Sequence, residues 1–146
     1  MIVLDQATKA WVVRALGPDQ SSHRRDLLGS WLSFEYVQNR GAAFGLFSGG
    51  GELVLALVAV GFAALAIALR QVSRPSNWFL VGAGLVGGGA IGNAIDRIRL
   101  GHVIDFVAVS VWWRFNLADS AVTVGVLILI WLSTQTRDAR GNGKSK

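Results

Sequence analysis

The chain has 146 residues, enough for a single domain, and it carries a net charge of +5 at neutral pH. Hydrophobic residues make up 52% of the chain and charged residues only 16%, below the share of about 25% in soluble proteins. Together with a mean hydropathy of +0.46, this composition favours an integral membrane protein. Cysteine is absent, which excludes disulfides and thiolate chemistry.

Part of the positive charge lies at the end of the chain, where four of the fourteen basic residues follow Thr136. We interpret residues 137–146 as a disordered, basic cytoplasmic tail beside anionic lipid. Residues 1–136 then form a single transmembrane domain. Because the tail accounts for much of the excess charge, we expect no nucleic-acid partner.

The first segment, Met1–Leu16, contains too few apolar residues to span a membrane, since only four residues precede Asp5. It predicts the outer half of a transmembrane helix whose first half is missing. Asp5 and Lys9 stand at i and i+4, so they can pair on one helix face. A surface ion pair on an interfacial helix is the simpler alternative.

Residues 17–26 are mostly polar and predict a loop. The segment Trp31–Asn39 then alternates apolar and polar side chains, which predicts a strand in a small sheet that leans on the membrane surface or on the helix ends. Asn39 and Arg40 lead into a segment whose glycines, Gly41 and Gly45, bracket small residues. By itself this segment predicts only a turn into the next helix.

Two uncharged segments, Leu53–Leu69 and Trp78–Ile95, predict antiparallel spanning helices with a connection at Pro75 between them. In the second of these, glycines recur at intervals of four residues: Gly84, Gly88 and Gly92. Small residues at this spacing line one helix face and let a neighbouring helix approach closely. We therefore predict a packing role for these glycines.

The end of that helix carries a polar cluster made of Asn93, Asp96 and Arg97, at i, i+3 and i+4. All three side chains share one helix face at the membrane boundary. Asp96 and Arg97 alone would be explained by an ion pair at a helix end. Asn93, however, lies one turn further in, where an unpartnered amide is costly, so we predict that the cluster points into the protein.

The last hydrophobic segment begins with a similar pattern, Asn116, Asp119 and Thr123, and is predicted to be helical to about Ser133. Upstream of it, Asp105 is also flanked by apolar residues. A carboxylate in or beside a bilayer is expensive and indicates a functional site. If Asp105 and Asp119 converge, they cannot both ionise, and the pair then supplies an acid and a base.

Other chemistries need residues that the sequence supplies poorly. His23 and His102 are the only histidines, and neither lies in a His-Glu-x-x-His array, so no metal site is expected. A serine peptidase with Ser120 as nucleophile and Lys9 as base stays open. So does a small transporter or proton channel whose intramembrane carboxylates bind a cation.

Five segments, taken in order, resemble the signature blocks of the bacterial lipoprotein signal peptidase family (signal peptidase II, aspartyl protease family A8): Asp5-Gln6-Ala7-Thr8-Lys9, Asn39-Arg40-Gly41-Ala42-Ala43-Phe44-Gly45, Gly92-Asn93-Ala94-Ile95-Asp96-Arg97, Val103-Ile104-Asp105-Phe106 and Phe115-Asn116-Leu117-Ala118-Asp119-Ser120. The resemblance extends from Asp5 to the end of the last helix. It departs from the family in the short first segment. The interval between Asp105 and Asp119 is also short.

The resemblance implies an all-α integral membrane protein, a four-helix transmembrane bundle with a small extracytoplasmic β-sheet. Such proteins lie in the bacterial plasma membrane as multi-pass proteins with both termini in the cytoplasm. The implied reaction is removal of the signal peptide from prolipoproteins, immediately before the diacylglyceryl-modified cysteine. The implied partners are lipid-modified prolipoproteins and membrane lipid, and no cofactor or metal is required.

The resemblance also assigns roles to individual residues. Asp105 and Asp119 would be the catalytic pair that activates a water molecule. The residues expected to bind the substrate or to support the site are Asn39, Arg40, Gly41, Asn93, Asp96, Arg97, Asn116, Asp5 and Lys9. Pro18–Glu35 and Ile98–Arg114 would lie on the extracytoplasmic side, which places the active site near that face.

Overall fold

The computed structural model describes residues 1–21, 23–40, 75–110 and 113–141, with five further positions between 61 and 70. Its elements, in chain order, are α1 (Ile2–Leu16), β1 (Arg24–Leu28), β2 (Leu32–Asn39), α2 (Asn77–Leu100), β3 (Val103–Val109), β4 (Trp113–Phe115) and α3 (Leu117–Gly141). Helices and a small antiparallel sheet therefore make up the described part of the chain, as the sequence predicts.

Two of these helices are long and apolar enough to cross a membrane: α2 over its whole length, and α3 from Leu117 to Gln135. The side chain of Ser76 caps the start of α2 by accepting a hydrogen bond from the Phe79 amide at 3.1 Å. At its other end Gly101 adopts a left-handed conformation, with φ of 74°, and its amide donates to the Arg97 carbonyl. These caps fix both ends of α2 in the chain.

The end of α3 differs from the prediction. The helix continues past Ser133 to Gly141, so residues 137–141 are helical, although the sequence assigned them to a disordered tail. An existing helix gains a hydrogen bond for each residue added, so polar residues extend it beyond its apolar part. Residues 142–146 lie outside the described part of the chain.

The predicted four-helix bundle is described only in part. The helix predicted over Leu53–Leu69 lies mostly outside the described residues, although Gly61 and Ile67 within it are helical. Three helices are described in full: α1, α2 and α3. The four-helix bundle therefore stays a prediction.

The sheet has four strands in the order β1-β2-β3-β4, and all neighbours are antiparallel. The predicted strand over Trp31–Asn39 is confirmed as β2. The prediction of a loop at residues 17–26 is wrong from Arg24 onward, where β1 begins. All five residues of β1 are exposed, so this strand has no alternation of buried and exposed side chains that the sequence could reveal.

The sheet is attached to the helix ends by very short connections. Two residues, Gly101 and His102, separate α2 from β3, and Asn116 alone separates β4 from α3. An apolar cluster of Val12 from α1 with Ile104 and Phe106 from β3 holds the sheet against the first helix. The centre of β3 and the start of α3 are therefore brought together at one end of the helices.

Close approach of α2 and α3 depends on glycines other than the ones predicted. A Cβ added at Gly89 would lie 2.5 Å from the Ala118 carbonyl oxygen, and one added at Gly125 would lie 2.6 Å from the Gly82 oxygen. Of the predicted set, Gly88 and Gly92 do allow a close approach, but to the first helix: an added Cβ would lie 2.8 Å from Met1 Cβ and 2.6 Å from Asp5 Oδ2, respectively. No described atom lies within 4 Å of the same position at Gly84, so its predicted packing role is not seen.

This difference predicts opposite effects for two similar substitutions in α2. Gly89→Ala is expected to destabilise the protein by about 1–3 kcal/mol, because the added methyl group meets the backbone of α3. Gly84→Ala, the matched control, is expected to be neutral or stabilising by up to about 1 kcal/mol through helix propensity. Thermal unfolding of both variants in one detergent measures the difference. Equal midpoints would contradict the close contact.

Candidate active site

The first carboxylate of the site, Asp105, lies in the middle of β3 and is 1% exposed. Pairing of β2 with β3 places Asn39 opposite Val103, two residues from Asp105 and on the same face of the sheet. The Asn39 side chain accordingly donates a hydrogen bond of 2.8 Å from Nδ2 to Asp105 Oδ2. The sheet thus fixes one side of this carboxylate.

The second carboxylate, Asp119, lies in the first turn of α3. Asn116 precedes the helix, and its Oδ1 accepts a hydrogen bond from the backbone amide of Asp119 at 2.9 Å. In return, Asp119 Oδ2 accepts a hydrogen bond from the backbone amide of Asn116 at 3.1 Å. This reciprocal arrangement is a capping box, so the bonds that start the helix also orient Asp119.

Asn116 also connects the two carboxylates. Its side chain is fully buried, and its Nδ2 lies 2.9 Å from Asp105 Oδ1 and 3.0 Å from Asn93 Oδ1. The Nδ2 of Asn93 in turn donates to Asp119 Oδ1 at 2.7 Å. Asp105 and Asp119, predicted to converge, are thus joined through two asparagine side chains.

A buried ionic cluster supports these asparagines from the side of α1. Lys9 is 2% exposed, and its Nζ lies 2.9 Å from Asp5 Oδ2 and 2.8 Å from Asp96 Oδ2. The same Nζ donates to Asn93 Oδ1 at 3.0 Å. These three acceptors match the three donors of an ammonium group. Because both partners in the ion pair of Asp5 and Lys9 are buried, the alternative of a surface ion pair is wrong.

Three further donors complete the cluster and were not singled out in the sequence. Gln6 donates to Asp96 Oδ1 at 2.9 Å and lies within the same signature segment as Lys9. The backbone amides of Ala118 and Ile104 donate to Asp5 and Asp96, at 3.1 and 3.2 Å. The polar side chain of Gln6 beside Asp5 could have indicated its role in the cluster. Backbone donors cannot be predicted in this way, because every residue except proline carries a backbone amide.

The environment of Asp105 raises its pKa to about 6, from an ordinary value of 3.8. Burial of the carboxylate is the main cause, and the hydrogen bond from Asn39 opposes it. The negative charge of Asp119 raises the pKa further, while Asn116 and the charge of Lys9 lower it. Asp105 is therefore able to hold a proton near neutral pH.

This raised pKa predicts a pH-dependent difference in stability between the protein and its Asp105→Asn variant. Ionising Asp105 costs the folded state about 3 kcal/mol, a cost absent below about pH 3.8 and fully present above about pH 6. The asparagine cannot ionise. We therefore expect the variant to gain thermal stability relative to the parent between about pH 4 and about pH 6, with little further change above that range. A difference in unfolding temperature that does not change with pH would contradict the raised pKa.

The remaining predicted site residues are placed as follows. Arg97 is half-buried and is attracted most strongly by Asp119, then by Asp105. Arg40 is exposed directly after β2, and Gly41 lies outside the described residues. Thr123 is exposed, and its hydroxyl donates to the Asp119 carbonyl of its own helix, so it does not extend the cluster.

A metal site receives no support from the described residues, which contain no group of three or more potential metal ligands. His23 lies away from the carboxylates, because its Nδ1 donates to the Gly17 carbonyl at 3.0 Å at the end of α1.

The serine alternative requires a hydrogen bond between Ser120 and Lys9, which the described contacts of these two residues do not include. The Ser120 hydroxyl donates to the Asn116 carbonyl at 3.1 Å, while the acceptors around Lys9 Nζ are Asp5, Asp96 and Asn93.

Comparison with known proteins gives consistent matches over most of the chain. The profile of the family described as "Signal peptidase (SPase) II" matches residues 1–135. The lipoprotein signal peptidase of Syntrophomonas wolfei is 42% identical over 90% of this chain and 86% of its own length. That of Nostoc punctiforme is 42% identical over 90% and 83%.

Solved structures agree with these sequence matches. A bacterial membrane enzyme determined by the in meso method at 2.3 Å aligns with a TM-score of 0.80 and 26% identity, covering 99% of this chain and 87% of that chain. A second, determined at 1.9 Å, aligns with a TM-score of 0.74 and 26% identity, covering 90% and 85%. The arrangement of helices and sheet is therefore shared with experimentally solved membrane enzymes.

Proposed function

This chain belongs to the signal peptidase II family, and we propose that it carries out the reaction of that family with Asp105 and Asp119 as its catalytic pair. It is a membrane aspartic endopeptidase that removes signal peptides from prolipoproteins. The observation that carries the assignment of the two residues is their connection through Asn116 and Asn93.

In this proposal one aspartate is protonated and polarises the scissile carbonyl, while the other is ionised and takes a proton from the attacking water. Each carboxylate is oriented before the substrate arrives. Asp105 accepts hydrogen bonds from Asn39 and Asn116, and Asp119 accepts them from Asn93 and from the Asn116 backbone. Such fixed donors are the usual means by which a site is preorganised.

The surrounding residues divide into two proposed roles. Asn93 and Asn116 orient the catalytic pair, and Asp5, Lys9 and Asp96 hold those asparagines in place. The substrate backbone is expected to meet the remaining polar groups at the edge of the site: Asn39, Arg40, Gly41 and Arg97. Arg97 is attracted by Asp119 and by Asp105 more strongly than by its neighbour Asp96, which supports a place for its charge beside the pair.

The proposed location is the bacterial plasma membrane, which the chain crosses several times with both termini in the cytoplasm. Two spanning helices support this, as does the sheet attached at one end of them by connections of one and two residues. The catalytic pair then lies near the extracytoplasmic face, where a lipid-modified cysteine is held at the membrane surface. Residues 1–136 act as a single domain in contact with membrane lipid.

The transporter alternative is less well supported. A cation pathway needs carboxylates at several depths along a pore. The carboxylates of Asp5, Asp96, Asp105 and Asp119 instead form one hydrogen-bonded cluster where the helices meet the sheet.

The experiment that tests the substrate uses the protein in vesicles with two matched precursor peptides. One carries a diacylglyceryl-modified cysteine after the signal segment, and the other carries the same cysteine unmodified. We expect cleavage of the modified peptide immediately before the cysteine, with at least a tenfold lower rate for the unmodified one. Equal rates, or cleavage at another bond as judged by mass spectrometry, would contradict the proposed specificity.

A further inference from the structure

The two catalytic carboxylates lie in different environments, and the difference assigns their roles. We infer that Asp119 is the ionised carboxylate that accepts a proton from the attacking water. Asp105 then carries the proton that is given to the scissile carbonyl oxygen. This inference rests on the proposed function, because it divides the chemistry of that one site between its two aspartates.

The surroundings of Asp119 favour a negative charge. Asp119 is the third residue of α3, where the helix dipole places positive potential. Its Oδ2 accepts from the backbone amide of Asn116, and its Oδ1 accepts the 2.7 Å hydrogen bond from Asn93. Its side chain is also half-buried, so ionisation costs it less solvation energy than it costs a fully buried group.

Asp105 lies in a setting that favours the neutral acid. It lies within β3 and is 1% exposed, and although the hydrogen bonds from Asn39 and Asn116 favour the anion, burial outweighs them. A strand supplies only a small dipole to help an anion. Burial is the largest influence on this carboxylate, and its effect is to raise the pKa.

The charged side chains on the neighbouring helices also favour an ionised Asp119 and a neutral Asp105. On α2, Arg97 interacts more strongly with Asp119 than with Asp105, and Asp96 is paired with Lys9. On α1, Lys9 lies between Asp5 and Asp96, and its attraction is the smallest influence on Asp105. Of the two carboxylates, Asp119 therefore has the stronger attraction to Arg97.

The reaction balances with these roles. As the water oxygen bonds to the carbonyl carbon, one water proton passes to Asp119 and the Asp105 proton passes to the carbonyl oxygen, which gives a neutral gem-diol. When the C–N bond breaks, Asp119 returns its proton to the leaving nitrogen. One gem-diol proton passes to Asp105. The products are a carboxylic acid and an amine, and both aspartates return to their starting states.

The first test is infrared spectroscopy of the protonated carboxyl C=O stretch, recorded at about pH 5, where exposed acids are largely ionised. We expect the band in the parent protein and in Asp119→Asn, and its loss in Asp105→Asn. Loss of the band in Asp119→Asn with retention in Asp105→Asn would overturn the assignment. Retention in both variants would also overturn it, because the proton would then lie elsewhere.

A second test uses the two limbs of the pH profile of kcat/KM, which report the base and the acid of the free enzyme. Asn93→Ala removes a donor to Asp119, and we expect the acid limb to move up by about one pH unit. Asn39→Ala removes a donor to Asp105, and we expect the basic limb to move up by a similar amount. The opposite pattern of shifts would overturn the assignment.

These outcomes are separate from failure of the proposed function. If Asp105→Asn and Asp119→Asn both cleave precursor at the parent rate, the catalytic pair itself is wrong. If both are inactive and the infrared band follows Asp119, the pair stands and the division of roles is wrong.

Discussion

Replacing Lys9 with methionine is expected to lower the free energy of unfolding by about 3–5 kcal/mol. The substitution leaves Asp5 and Asp96 buried without their shared cation, at 0% and 2% exposure. It also removes the donor to Asn93 Oδ1 that fixes the asparagine against Asp119. We therefore expect cleavage to fall at least tenfold even at temperatures where the variant is folded. Thermal unfolding and a cleavage assay in the same vesicles measure the two effects.

The matched control is Arg24→Met, which breaks an ion pair of similar length, 2.7 Å to Asp26, but on exposed side chains. An exposed pair contributes at most about 1 kcal/mol, so this variant should behave like the parent. Adding Asp96→Asn to Lys9→Met should recover part of the lost stability, because it removes one unpaired buried charge. If Lys9→Met and Arg24→Met unfold at the same temperature, the buried cluster does not support the site.

Replacing either proposed catalytic carboxylate, Asp105 or Asp119, with asparagine is expected to lower kcat/KM for a lipidated precursor by about 10³-fold. Asparagine keeps the size of the side chain but neither accepts a proton from water nor holds an acidic proton. Insertion should be preserved, since both positions lie at the end of the helices and the capping position of Asn116 is unchanged. Resistance of the protein to extraction from vesicles checks its insertion, and thermal unfolding checks its folding. Both are measured alongside the cleavage rate.

Ser120→Ala is the control for that experiment, because Ser120 is the neighbour of Asp119 in the first turn of α3. Its hydroxyl donates to the Asn116 carbonyl, so its loss should change the rate by no more than about threefold. An inactive Ser120→Ala beside an active Asp119→Asn would support a serine nucleophile instead.

Much of the site was predictable because polar residues stood out in apolar segments. Asp105, Asp119 and Asn93 are costly in such surroundings unless they have partners, which marked them before any contact was known. The order of segments then matched that of a known family. These two signals identified the residues but not the bonds between them.

The bonds depend on tertiary geometry that a sequence does not encode locally. Contact of Asn39 with Asp105 requires the register of β2 on β3, which shifts at an irregularity between Phe34 and Val37. The capping box of Asn116 and Asp119 requires that α3 begin at Leu117, whereas the pattern placed Asn116 inside the helix. A shift of one residue in the boundary of a helix or strand is enough to change such contacts.

Helix packing was the least predictable part. The regular spacing of Gly84, Gly88 and Gly92 predicted one packing face, and two of these glycines do lie against the first helix. The contact of α2 with α3 uses a different pair, Gly82 and Gly89, seven residues apart. Which face of a glycine-rich helix meets its neighbour depends on the position of the other helix. Several faces of α2 carry glycine, so spacing alone did not choose between them.

The most direct test of the proposed catalytic pair is the single-turnover cleavage rate of the double variant, Asp105→Asn with Asp119→Asn, beside the two single variants. When two residues act as one unit, removing either abolishes the contribution of both. We therefore expect the double variant to be no slower than the slower single variant, within about threefold. Enzyme in excess over lipidated precursor and long incubation resolve the residual rates. A single variant that keeps more than about a tenth of the parent rate, or a double variant slowed by the product of the two single losses, would show that Asp105 and Asp119 do not act as one catalytic pair.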